Sequence, residues 1–141
     1  MYRRRDGALQ VFLVHPGGPY WAHKDDGAWS IPKGEFTDEN GLQAALREFI
    51  EETGFAPEGE FRPLTPVVQA NAKVVHAWAF AGDCDPSRLR SNTFALEWPP
   101  GSGTMQHFPE VDRGAWFTLE EARRKILRGQ LPLLAELERV V

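Results

Sequence analysis

The stretch KGEFTDENGLQAALREFIEETGF, residues 33–55, constrains this chain more than any other. Its apolar residues recur at helical spacing and Gly54 supplies a stop, so a helix is expected over 40–53. Set Glu48 at zero and advance about 100° per residue; Glu51 then falls near −60° and Glu52 near +40°. The three carboxylates share one arc, with the small Ala44 among them, where a ligand could approach. Leu42, Leu46, Phe49 and Ile50 gather on the opposite side, the expected core face.

Such a helix breaks local rules. Like charges at i,i+4, here Glu48 and Glu52, cost about 0.2–0.5 kcal/mol. Carboxylates in the last turns also face the negative end of the helix dipole, at about 0.3–1 kcal/mol each. Conflicts of this kind often mark functional sites. A divalent cation would relieve all of them, and hard oxygen ligands suit Mg²⁺ or Mn²⁺. The plainer alternative for three glutamates alone is a solvated acidic helix face.

The rest of the chain narrows the possibilities. Its 141 residues suit a single domain over 1–141. A chain of this length buries roughly 68–70% of its unfolded surface and needs no staples. A formal charge of −4 argues against a dedicated nucleic-acid or anionic-membrane binder. Cys84 is the single cysteine, so no internal disulfide can form. Its acidic neighbours Asp83 and Asp85 should raise the thiol pKa, which makes a loop residue of it rather than a nucleophile. The opening MYRRRDGALQVFLVH lacks a small-residue cleavage site, and no stretch reaches the ~18–20 apolar residues of a membrane span. A soluble, cytoplasmic protein is expected.

Along the chain, Ala8–His15 reads as a buried strand broken by Pro16-Gly17-Gly18-Pro19, and Ala28–Ile31 as a short strand stopped by Pro32. Phe61–Ala70 and Lys73–Gly82 read as a hairpin. Asp85-Pro86-Ser87 opens a loop or single turn, and Pro99–Gly103 is a flexible break. Thr104–Phe108 and Gly114–Phe117 are expected to pair. Thr118 with Glu121 forms a capping box for a helix over 118–128, and LPLLAELERVV is a last amphipathic helix. Strands first and last around a central helix predict a mixed α/β layer architecture.

Arg47-Glu48-Phe49-Ile50-Glu51-Glu52-Thr53-Gly54-Phe55 is similar to the second half of the Nudix box, the signature of the Nudix hydrolase superfamily. Seven residues separate Glu39 from Arg47, as in the family pattern. Only four separate Gly34 from Glu39, so the box at 34–55 is one residue short in its opening loop. Trp29–Gly34 resembles the strand that enters the box in family members. Glu110–Phe117 and Thr118–Ala122 resemble their last strand and helix. The start also departs from the pattern: relatives carry several residues before a stretch like Tyr2–Arg5, so the first strand is either shortened or begins earlier than Met1.

The resemblance implies a Nudix fold, an α/β/α sandwich with a mixed central sheet. It implies hydrolysis of a nucleoside diphosphate derivative at its pyrophosphate linkage with Mg²⁺ or Mn²⁺. Carried over, Glu51 and Glu52 would be the principal metal ligands. Glu48 would be a third ligand or orient the attacking water, and the Lys33 backbone carbonyl beside Gly34 would complete the sphere. Glu39 and Arg47 would brace the loop. Glu110, just before the last strand, would be a base, an extra ligand or filler. Lys33 would meet a phosphate or stay solvated. Trp21, Lys24, Trp78 and His107 would line the substrate pocket or simply pack. Trp29, Trp98 and Trp116 read as core or rim, and His15 and His76 as satisfied structural histidines. The Pro32-Lys33-Gly34 entry favours dinucleoside polyphosphates, then nucleoside triphosphates and nucleotide sugars. A nucleotide-binding module with little catalysis is the alternative. The expected partner is a small-molecule nucleotide, with no nucleic acid and no membrane, for a monomer or homodimer.

Overall fold

The structure, a computed structural model, describes residues 1–34 and 40–141. Its main sheet has the order β1 (Tyr2–Arg5), β2 (Ala8–Pro16), β9 (Val111–Thr118), each pair antiparallel. Asp6 and Gly7, with φ of 53° and 79°, make the tight turn between β1 and β2. The first strand is therefore present with four residues. A parallel bridge from Tyr2 to Ala81 makes the sheet mixed.

Along β2 the side chains alternate between two buried layers. Val11 and Leu13 join Trp29, Phe117, Ile126 and Leu134 on one side. Phe12 and Val14 join Val111, Phe55, Leu89 and Trp116 on the other. Burial on both faces is why this strand reads as a near-continuous apolar run.

Among the described residues three α-helices frame the sheet. In α1 (Gly41–Thr53) the Asn40 side chain accepts the Gln43 N–H, and Gly54 closes the helix at φ 77° with its N–H on the Ile50 carbonyl. The helix α2 (Leu119–Lys125) begins on the expected Thr118–Glu121 capping box. It stops short of 128 because Ile126 leaves helical geometry to bridge Trp29, and Leu127 N–H donates to the Trp29 carbonyl at 2.7 Å. Leu133, Leu134 and Leu137 bury one face of α3 (Leu131–Val140), as its amphipathic pattern predicts. Among the described residues no helix is long and apolar enough to cross a membrane.

Several strand expectations change. Among the described residues Ala28–Ile31 makes two single bridges rather than a ladder, Trp29 to Ile126 and Ser30 to Val14. The 61–82 hairpin exists but is broken into two-residue pairs: β3 (Arg62–Pro63) with β6 (Trp78–Ala79), and β4 (Val67–Val68) with β5 (Val74–Val75). Pro63 and Pro66 lack the donors a continuous ladder needs. Gly114–Phe117 does not pair with Thr104–Phe108. It lies in β9 beside β2, while β8 (Met105–Pro109) pairs with β7 (Thr93–Glu97), a strand the sequence pattern did not reveal. The break at 99–103 is the loop closing that β7–β8 hairpin. Pro86–Arg88 forms the expected single turn.

Candidate functional site

The segment entering α1 is fixed from below. Ser30 and Val14 exchange backbone hydrogen bonds at 2.8 and 2.9 Å. The fully buried Gln130 accepts the Ile31 N–H on its Oε1 at 3.0 Å. Lys33, two residues on, donates its N–H to Glu52 Oε2 at 2.9 Å. Gly34 lies so close to α1 that a Cβ there would overlap the Glu48 carboxyl group. Glycine leaves that space to the Glu48 carboxylate, which a Cβ would displace.

The helix orientation corrects the expected faces. Glu52 is only 7% exposed, while Ile50, expected in the core, is 49% exposed. The buried strip runs through Ala44, Phe49, Glu52 and Thr53. Leu42, Leu46 and Phe49 do lie on the inward side, where with Ala44 and Ala45 they line a cavity, while Glu52 is buried beside that wall against the Lys33 N–H.

Burial dominates the electrostatics. It pushes the Glu52 carboxyl up to about 7, against the stabilising Lys33 N–H and with the Glu48 and Glu110 charges adding to the rise. Glu48 is also raised, chiefly by burial, although Arg47 Nη1 sits 2.8 Å from its Oε1. The same nitrogen lies 3.1 Å from Glu51 Oε2, so Arg47 bridges two of the three glutamates. Its expected pairing with Glu39 lies outside the described residues.

Main-chain bonds carry Glu110 to this cluster. The Glu51 carbonyl accepts from Asn92 N–H at 2.8 Å, the Asn92 carbonyl from Glu110 N–H at 2.9 Å, and the Glu110 carbonyl from Gly17 N–H at 2.9 Å. Arg90 N–H likewise satisfies the Thr53 carbonyl at 2.9 Å. The helix end thus receives two donors from a loop far along the chain. Sequence reading gave Arg90 and Asn92 no role, because backbone donors leave no side-chain signature.

Among the described residues no three His, Cys, Asp or Glu side chains form a closed metal-holding group. The donor set still suits a hard divalent ion. Glu48, Glu52 and Glu110 are oxygen donors whose mutual repulsion Lys33 and Arg47 partly offset, and such ions commonly complete their sphere with water and phosphate oxygens.

Beside the carboxylates opens a cavity of about 520 Å³, lined by Lys33 and Gly34 at one part and by Ala44, Ala45, Phe49 and Trp78 elsewhere. Trp78 therefore reaches the pocket. So does His76, which is exposed. Lys24 lines a separate shallow depression with Trp29 and Arg113, its ammonium 4.8 Å from the Trp21 ring centroid. Trp21 and the exposed His107 line neither concavity. Trp29 is core at 5% exposure, Trp98 meets Tyr20 edge-to-face, and Trp116 packs under the Arg3 guanidinium. His15 is structural as expected, fully buried with Nδ1 2.9 Å from Asp112 and Nε2 2.7 Å from the Lys24 carbonyl. The Cys84 thiol is pushed up to about 11, by burial first and Asp83 second, so the expected direction holds with a different leading cause.

A family model described as NUDIX domain matches residues 1–137. Among solved structures, the chain resembles the NUDIX domain of Shewanella oneidensis NrtR complexed with ADP ribose. The TM-score is 0.65 at 20% identity, covering 99% of this chain and 83% of that one. A C. elegans Ap4A hydrolase binary complex gives 0.64 at 22% identity, with 98% and 91% covered. The E. coli ORF135 protein gives 0.56 at 22%, with 99% and 85% covered. These likenesses are of fold. No curated protein matches the chain.

Proposed function

Because the chain belongs to the NUDIX domain family, we propose that it is a metal-dependent pyrophosphohydrolase acting on a nucleoside diphosphate derivative. The observation that carries this reading is the buried Glu52 carboxylate, held by the Lys33 N–H with Glu48 and Glu110 in its field. A buried carboxylate among like charges is a costly arrangement that a cation and a phosphate chain turn to use.

Mg²⁺ or Mn²⁺, when bound, supplies charge neutralisation to the phosphate oxygens and a more acidic water. Glu52, Glu51 and Glu48, with the Lys33 carbonyl, are the residues to hold it. Glu51 is the outer member, its side chain 39% exposed against 13% for Glu48. Arg47 keeps Glu48 and Glu51 together in the absence of a ligand. Glu110 stands as the proton acceptor or an added ligand. Lys33 and Gly34, which line the cavity and lie against Glu52 and Glu48, receive phosphate. Trp21 and Lys24 bind substrate only where it extends beyond this cavity. Dinucleoside polyphosphates lead as substrates on the Pro32-Lys33-Gly34 entry, ahead of nucleoside triphosphates and nucleotide sugars. Residues 1–141 act as one cytoplasmic domain, as a monomer or homodimer.

One observation favours the second reading, a nucleotide-binding module. Arg47 already pairs Glu48 and Glu51, which competes with a cation for them. Turnover of a nucleotide panel with Mg²⁺ or Mn²⁺ separates the two. The enzyme releases product only with metal, and releases far less after Glu52→Gln. Tight binding of a nucleotide with no product under any metal condition would establish the module instead.

A further inference from the structure

The buried stretch of β2 runs Val11, Phe12, Leu13, Val14 and then His15. His15 is its one polar member and is fully buried. An apolar side chain would fill that place at less cost, because a buried imidazole needs partners for both ring nitrogens. It has them: Nδ1 lies 2.9 Å from Asp112 Oδ1, and Nε2 lies 2.7 Å from the Lys24 carbonyl. A carbonyl only accepts, so Nε2 carries a hydrogen, and a second hydrogen stands between Nδ1 and the Asp112 carboxyl group. The Trp29 ring packs edge-on at 5.2 Å, and Arg113 Nη1 also reaches Asp112 Oδ1 at 3.4 Å.

The pair sits at a break in register. The ladder of β2 and β9 steps from His15 opposite Arg113 to Pro16 opposite Val111, which leaves Asp112 as the extra residue of a β-bulge. Bulges re-aim neighbouring side chains and gather beside active sites. Just past this one, Gly17 N–H donates to the Glu110 carbonyl at 2.9 Å, and Val111 N–H donates to Ser91 Oγ at 3.0 Å. A Cβ on Gly17 would overlap the Pro109 carbonyl, so the two strands approach closely there. A ladder without the extra residue would shift Glu110 by one position and turn its side chain to the other face. With the bulge in place, the Glu110 charge is felt at both Glu48 and Glu52.

We infer that the buried His15–Asp112 pair is a positioning device: it pins the bulge that turns the Glu110 carboxyl group toward Glu48 and Glu52. The inference rests on the proposed function for what Glu110 does there, as proton acceptor or added ligand. The competing account is a staple that fastens the Lys24 loop and serves stability alone.

A mutant cycle separates the two accounts, with Mg²⁺-dependent turnover measured on folded protein. Asp112→Ala lowers kcat by about tenfold or more with KM within about threefold, as expected when a reacting group is displaced. In the Glu110→Gln background the same substitution changes kcat by less than about twofold. Asp112→Asn recovers most of the loss, because its amide donates to a neutral Nδ1 while Nε2–H stays on the Lys24 carbonyl. Asp112→Ser, too short to reach Nδ1, repeats the alanine result and stands in for it if that variant does not fold. Equal losses in both backgrounds overturn the inference, since a staple acts whether or not residue 110 is a carboxylate. So does asparagine no better than alanine, or full turnover in Glu110→Gln. Carboxyl-carbon NMR titration of Glu52 in EDTA reads the position without turnover. Asp112→Ala lowers its midpoint as Glu110→Gln does, and Asp112→Asn leaves it in place; an unmoved midpoint in Asp112→Ala overturns the inference. The two readings fail separately. A moved midpoint in a protein that turns over no nucleotide removes the hydrolase and leaves the positioning. Metal-dependent turnover with equal losses in both backgrounds does the reverse.

Discussion

In α2 the charges sit where a helix favours them. Glu120 and Glu121 occupy its first turn, Arg123, Arg124 and Lys125 its last, and Thr118 closes a complete capping box. In α1 the first turn has no acid and the last turn no base, while Glu51 and Glu52 stand at its C-terminal end. The carboxyls record the difference. Hydrogen bonds from Thr118 hold Glu121 below the ordinary carboxylate range, whereas burial lifts Glu48 and Glu52 above it. One helix is arranged for its own stability. The other gives up local stability at the end where its glutamates gather.

The contrast can be broken at the α1 end first. Glu52→Gln should lower metal-dependent turnover by about 10²–10³-fold, measured as kcat/KM on whichever nucleotide the wild type cleaves. Turnover within a few-fold of wild type would remove Glu52 from the chemistry.

The second test uses pH. In the metal-free fold Glu52 holds its proton to about pH 7, against an ordinary value of 4.5. Folding therefore takes up a proton between those values. The stability this group contributes is full below about 4.5 and is lost as pH rises to about 7. Urea unfolding in EDTA should show a fall on the order of 1–3 kcal/mol across that window. Glu52→Gln should flatten it and be the more stable protein at pH 8. A wild-type curve that rises across the window contradicts the buried-carboxylate account.

At the α2 end, Thr118→Ala removes the cap and should cost about 1 kcal/mol of unfolding free energy, with turnover at 25 °C unchanged. A loss of activity without a loss of stability would erase the distinction between the helices. The smallest expected effect is Glu110→Gln. It removes one of the charges that raise Glu52, so the midpoint of the stability–pH curve should move to lower pH. An unchanged midpoint would mean that Glu110 is not felt at Glu52.

Both helices were legible in the sequence because their signals are local: Gly54 for one end, Thr118 and Glu121 for another. Strand partners were not. Nothing within Gly114–Phe117 says that it pairs with Val11–Val14, about a hundred residues away, rather than with Thr104–Phe108 nearby. The strand Thr93–Glu97 buries none of its residues fully, and so shows no strong apolar pattern. At the site, the three glutamates could be read from spacing and from the family signature. Which way they face could not. A helical wheel gives relative angles, and only the fold shows that Glu52 turns inward onto the Lys33 N–H while Ile50 meets solvent.

The ladder from Glu51 through Asn92 to Glu110 is made of main-chain groups, and those groups are common to nearly every amino acid. The spacing between the helix and Glu110 is therefore insulated from most exchanges at position 92. An alanine scan would pass over that position without a mark. Proline alone lacks the N–H that Glu51 needs there, so tolerance at residue 92 should be broad with a single exclusion.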